Sequence, residues 1–179
     1  VLEEIVLSQS SLPADFKPPC NFKTLKASVF KEALVWNQYR INLKSNRLIS
    51  ACSLKNHSAF SVEKSEHFLL RLLSLPLKPL SLDKRKKIGP PPLGGEKDQR
   101  KFWLPPKFVE GQKSAEADFE VFETLWPKDG SDLSNRKIEL YFDKFFAWPY
   151  FIQINTPQLT VFLKTIDSGR NFPHFSRLN

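Results

Sequence analysis

The chain has 179 residues and a formal net charge of +8, with 41% hydrophobic and 13% aromatic residues, 14 prolines, two cysteines and no methionine. That length suffices to bury a real core, as one domain or two small lobes, and so apolar a composition excludes disorder as the general state. Cys20 and Cys52 are too few for a secreted disulfide framework, no apolar run is long enough to span a bilayer, and no signal peptide opens the chain.

A start at Val1 in a chain without methionine reads as a piece of a longer protein. Val1 to Leu7 is too short to assign between strand and helix end. Gln9 to Pro19 is loop, because Leu12-Pro13 and Pro18-Pro19 exclude regular structure. From Thr24 to about Tyr39, Leu25, Val29, Phe30, Ala33, Leu34 and Trp36 fall largely on one helical face, which predicts an amphipathic helix. Ile41-Asn42-Leu43 and Leu48-Ile49-Ser50-Ala51 flank the turn-like Lys44-Ser45-Asn46-Arg47 and predict a small hairpin. A second helix is expected from Ser58 or Ser61 until Pro76 stops it. Its apolar residues Leu69, Leu70, Leu72 and Leu73 must be buried in the fold or docked on another chain.

Pro76 to Arg100 changes character, with five prolines, three glycines and the basic tetrad Lys84-Arg85-Lys86-Lys87. Little apolar periodicity remains to offset the entropy of ordering, so the stretch reads as a linker or long surface loop. A flexible run of like charge suits an import-receptor groove or phosphate contact, against the plainer reading of a solvated loop. Phe102-Trp103-Leu104-Pro105-Pro106 re-enters the fold as an extended segment at a sheet edge. Asp118 to Trp126 alternates as a strand, and Pro127 to Asp132 is a turn.

Lys137 to Asp167 carries the clearest strand signals. Ile138, Leu140 and Phe142 alternate with Glu139 and Tyr141; Tyr150, Ile152 and Ile154 alternate with Phe151, Gln153 and Asn155. Leu159 to Ile166 is β-branched and apolar on both sides, and Asn155-Thr156-Pro157-Gln158 breaks the run into a hairpin. Phe145, Phe146, Trp148, Tyr150 and Phe151 either plug the end of the core or anchor a partner.

No chemistry-bearing motif stands out. His57, His67 and His174 share no metal-ligand spacing, and Cys52 with His57 is only a pair where structural zinc takes four ligands. No nucleophile elbow, Walker loop or Rossmann fingerprint occurs. Asp129, Asp132, Asp143 and Asp167 would serve a hydrolase only if at least two converged in a cleft.

The expected fold is therefore α+β: an antiparallel sheet of about four strands in the C-terminal half, packed with two N-terminal helices and a small hairpin. The expected division is a 1–75 lobe, a 76–100 linker or long loop, and a 101–179 β-rich lobe, or one domain overall. The expected function is a non-enzymatic protein–protein interaction domain of a larger nuclear protein, a subunit of a multi-protein, chromatin-associated complex, with a cytoplasmic location as the alternative. No cofactor, metal, membrane or small-molecule substrate is expected. The contact falls to Phe145, Phe146, Trp148 and Tyr150, with Leu69, Leu72 and Leu73 as a second group. The alternative is direct nucleic-acid binding through Lys84, Arg85, Lys86 and Lys87, helped by Lys23, Lys26 and Lys31; such binding weakens steeply with salt.

Overall fold

The computed structural model describes residues 2–8, 36–42, 44–45, 47–53, 58–60, 68–95, 97–115, 117–144 and 148–169. In chain order the elements are β1 (Leu2–Ser8), β2 (Trp36–Asn42), β3 (Arg47–Ser53), β4 (Ala59–Phe60), α1 (Phe68–Ser74), β5 (Lys78–Pro79), a 3-10 turn (Leu82–Lys84), β6 (Phe108–Val109) and β7 (Gln112–Lys113). Four longer strands follow: β8 (Phe119–Leu125), β9 (Lys137–Asp143), β10 (Pro149–Asn155) and β11 (Thr160–Lys164). The chain divides into two compact units, one of residues 1–74, 108–113 and 166–179, the other of residues 75–107 and 114–165.

The first unit holds a four-stranded antiparallel sheet in the order β1-β2-β3-β4. The β2–β3 turn is local chemistry: the Asn42 Oδ1 accepts the backbone N–H groups of Lys44 at 3.0 Å and Ser45 at 3.2 Å, as an Asx turn does. Arg40 pairs with Ser50 and Ile41 with Leu48, so Ile49 is the extra residue of a bulge, and its side chain turns outward at 41% exposure. The β6–β7 hairpin turns on Glu110 and Gly111, both at positive φ, 48° and 80°. Two such residues in succession twist a two-residue loop to match its strands. Ser168 docks there, its Oγ donating to the Phe108 carbonyl at 2.7 Å.

The second unit is a five-stranded antiparallel sheet ordered β11-β10-β9-β8-β5. Register decides what each face carries. Phe119, Val121, Tyr141 and Phe151 share one face and are buried, with Trp103 packed against the cluster they form with Leu80 and Tyr150. Farther along, the same face turns polar through Glu123, Glu139 and Gln153. Ile138, Leu140, Ile152 and Ile154 line the opposite face and are each at most 2% exposed.

These observations correct the α+β expectation. The protein is mostly antiparallel β, and among the described residues it has one α-helix, of seven residues. Residues 36–39, the end of the first predicted helix, lie in β2, a strand hydrogen-bonded on both sides; the rest of that prediction, 24–35, lies outside the described residues. Of the second predicted helix, the described residues show Phe68–Ser74 as helical, 61–67 lie outside the described residues, and Ala59–Phe60 near its expected start is a strand paired with β3. A helical stripe and a strand's alternation share several positions in a short window, and pairing partners distant in sequence break the tie.

Candidate interaction surface

Among the residues chosen from sequence as partner anchors, those that are described are buried or half-buried. Trp148 and Tyr150 are 8% and 3% exposed. Tyr150 packs its ring against Phe119 with centroids 5.6 Å apart. Leu72 is fully buried and Leu73 half-buried. Phe145, Phe146 and the side chain of Leu69 lie outside the described residues.

The basic tetrad sits in an ordered ladder. Lys87 bridges to Phe102, the Ile88 N–H donates to the Lys101 carbonyl at 2.8 Å, and the Trp103 N–H donates to the Lys86 carbonyl at 2.7 Å. Asp98 takes Lys87 at 2.6 Å and holds Arg100 with both carboxylate oxygens, at 2.9 and 3.0 Å. These partners, Arg100 first and then Lys87, hold the Asp98 carboxyl well below the usual carboxylate range. The Lys86 ammonium lies 5.1 Å from the centroid of the Trp103 ring, and the Arg85 Nε donates to the Leu80 carbonyl at 3.2 Å. Lys84 and Lys86 remain exposed, while Arg85 and Lys87 are half-buried.

Three of the four carboxylates considered for hydrolysis are engaged separately. Asp129 accepts the Trp126 Nε1–H at 2.9 Å and the Ser131 hydroxyl at 2.7 Å. Asp143 is buried in an ion pair with Lys107. Asp167 caps the β6–β7 turn, its Oδ1 accepting the Gly111 N–H at 3.0 Å. Among the described residues no three His, Cys, Asp or Glu side chains come close enough together to hold a metal ion. No helix there is long and apolar enough to cross a membrane.

Among the described residues, exposed apolar side chains occur singly at Ile49, Leu82, Ile88, Leu93, Leu104 and Leu125, and as a run at one margin of the five-stranded sheet. The two margins are built differently. β5 is two residues long, one a lysine and the other a proline, both exposed. A short strand bearing Lys and Pro is how sheets block an edge against further pairing. β11 is five residues, Thr-Val-Phe-Leu-Lys, with no proline. Val161 and Phe162 stand 37% and 50% exposed, and Leu159 in the preceding turn 56%.

Two backbone bonds set the phase of that edge. The Thr165 N–H donates to the Tyr150 carbonyl at 2.8 Å and the Thr156 N–H to the Leu159 carbonyl at 2.9 Å. With the observed register, Ile152–Leu163 and Ile154–Val161 are then the hydrogen-bonded pairs. The N–H and C=O groups of Thr160, Phe162 and Lys164 therefore point away from β10. Their side chains share the face that carries Phe151, and the Phe162 ring lies 5.6 Å from the Phe151 ring. The sequence did carry a signal for this surface, the apolar character of 159–166 on both sides. That pattern alone does not distinguish a strand in mid-sheet from one at the margin.

A family model described as CT021 protein matches residues 1–115. The chain belongs to the CT021 protein family. Among solved structures it is similar to the hypothetical protein CT021 from Chlamydia trachomatis, at 25% identity over 78% of this chain and 61% of that one, with a TM-score of 0.44. The chain thus spans about three fifths of that CT021 protein's length. No curated protein matches. The nuclear and chromatin-associated expectation is corrected by that family membership: CT021 is the name of a protein from Chlamydia trachomatis, and nothing in the family's description is nuclear. The tetrad's physical environment agrees, since an import receptor takes an extended flexible run and Lys87 is tied to Asp98.

Proposed function

We propose that this CT021-family chain is a non-enzymatic assembly module that binds another protein chain through the open β11 edge. One observation carries the reading: a sheet that blocks one margin with Lys78 and Pro79 leaves the other margin long, proline-free and apolar. Strand addition there would supply main-chain hydrogen bonds for affinity and side-chain contacts at alternate positions for specificity. The contact moves from the interior Trp148 and Tyr150 to Phe162, Val161 and Leu159.

The test is affinity capture from the native organism with the wild-type chain and with Phe162→Lys as baits. A protein retained in stoichiometric amount by the first and lost by the second is the expected result. Equal retention by both baits, or by neither, would overturn the reading.

A further inference from the structure

Resting on that reading, we propose that the β11 edge pairs with the β11 edge of a second copy of this chain. The pairing is antiparallel about Phe162, and it joins two five-stranded sheets into one of ten strands.

The edge is self-complementary in the three ways an isologous contact requires. The first is hydrogen bonding. Phe162 is the middle residue of Thr160–Lys164 and belongs to the outward-pointing set. A two-fold axis beside it lets each Phe162 exchange both its N–H and its C=O with its counterpart, while Thr160 exchanges with the second copy's Lys164 and Lys164 with its Thr160. Every outward group of the strand is then satisfied. The second is charge. Lys164 is the strand's one ionisable side chain, and this register sets it opposite a threonine, not another lysine. Like charges directly opposite would oppose pairing. The third is shape. The Phe162 rings meet across the axis and extend on each side the row Phe162–Phe151–Tyr141, whose successive centroids are 5.6 and 5.5 Å apart. On the other face Val161 meets Leu163 of the second copy, an apolar pair at the closer, non-hydrogen-bonded spacing.

The register makes the proposal testable residue by residue. Directly opposite residues in a hydrogen-bonded pair have Cα atoms about 5.5 Å apart, within the span of a disulfide. Thr160 and Lys164 of one chain are too far apart along the strand to bridge. The double variant Thr160→Cys/Lys164→Cys should therefore give a disulfide-linked dimer on mild oxidation, while Thr160→Cys and Lys164→Cys alone should not. In light scattering the wild-type chain should have twice the chain mass, and Phe162→Lys the mass of one chain. Phe162→Pro is the second variant: it removes an outward N–H without touching a bond to β10, and should be monomeric too.

Cross-linking of the single variants as efficient as that of the double one would overturn the pairing. So would a wild-type chain of single mass up to millimolar concentration. If the chain is monomeric yet still captures a different protein that Phe162→Lys loses, self-pairing fails while the assembly reading stands. If no capture and no dimer are seen, both fall.

Discussion

Phe151 and Phe162 lie side by side on neighbouring strands, ring centroids 5.6 Å apart, one 4% exposed and the other 50%. The pair marks where the core ends. Phe151 has Trp103 and Tyr141 against it at 5.1 and 5.5 Å. Phe162 has the aliphatic reach of Lys164, whose ammonium sits 5.7 Å from its ring, and open solvent beyond. Phe151→Ala should lower unfolding stability by about 3–5 kcal/mol, the cost of emptying a packed aromatic site. Phe162→Ala should lower it by under about 1 kcal/mol. Chemical denaturation of the two variants measures the difference, and equal losses would place Phe162 in the core.

The Lys107–Asp143 pair should respond differently to single and double replacement. Their side chains are 11% and 1% exposed. Lys107→Met removes the ammonium paired with the buried Asp143 carboxylate and should cost about 3–5 kcal/mol. Lys107→Met/Asp143→Leu removes both charges and should recover much of that loss. A double variant as unstable as the single one would show that the pair is held for geometry the apolar residues do not reproduce.

The β8–β9 connection is organised by Asp129, which takes the Trp126 indole N–H and the Ser131 hydroxyl together. Asp129→Ala leaves the nearly buried indole nitrogen without this acceptor, and should destabilise the unit by about 1–3 kcal/mol. Asp129→Asn keeps an acceptor oxygen and should cost less. Chemical denaturation of both variants measures the losses, and equal losses would argue against the indole bond.

Asp98 gives a pH signature. Its folded carboxyl is depressed, by Arg100 first and Lys87 second, below that of the unfolded chain. A depressed acid stabilises the fold fully above its unfolded value, near about 3.9, and loses that contribution as pH falls through the folded value. The ladder of residues 86–103 should therefore stay closed at pH 5 and loosen only in strong acid. Asp98→Asn should open it at neutral pH as well, read as faster amide exchange at Ile88 and Trp103, the donors of its cross-strand bonds. Unchanged exchange in the variant would mean that the backbone bonds hold the ladder without the carboxylate.

Salt should weaken partner capture little. The proposed contact is made of backbone bonds and the side chains of Phe162, Val161 and Leu159, so the exposed Lys84 and Lys86 contribute nothing to it. Raising ionic strength tenfold should leave capture by the wild-type chain within about twofold, whereas phosphate-driven binding falls by orders of magnitude. A steep decline with salt would point back to the basic ladder.

Alternation along 119–125, 137–143 and 149–155 made these three strands legible one at a time, because a strand's two faces alternate whatever it pairs with. The turns at 44–45 and 156–158 were legible too, since asparagine and proline act through their own backbone and near neighbours. Nothing local distinguishes a Tyr150 that seals a core from one offered to a partner. Burial is a property of what arrives from elsewhere in the chain, here Phe119 from 31 residues upstream. The same holds for 36–42, whose strand depends on β1 and β3 at its sides, and for Lys87, whose partner Asp98 closes a loop that composition alone described as unstructured. The open edge is the extreme case: β11 is exposed because the strand order ends there, and strand order is set by pairing across the whole sheet.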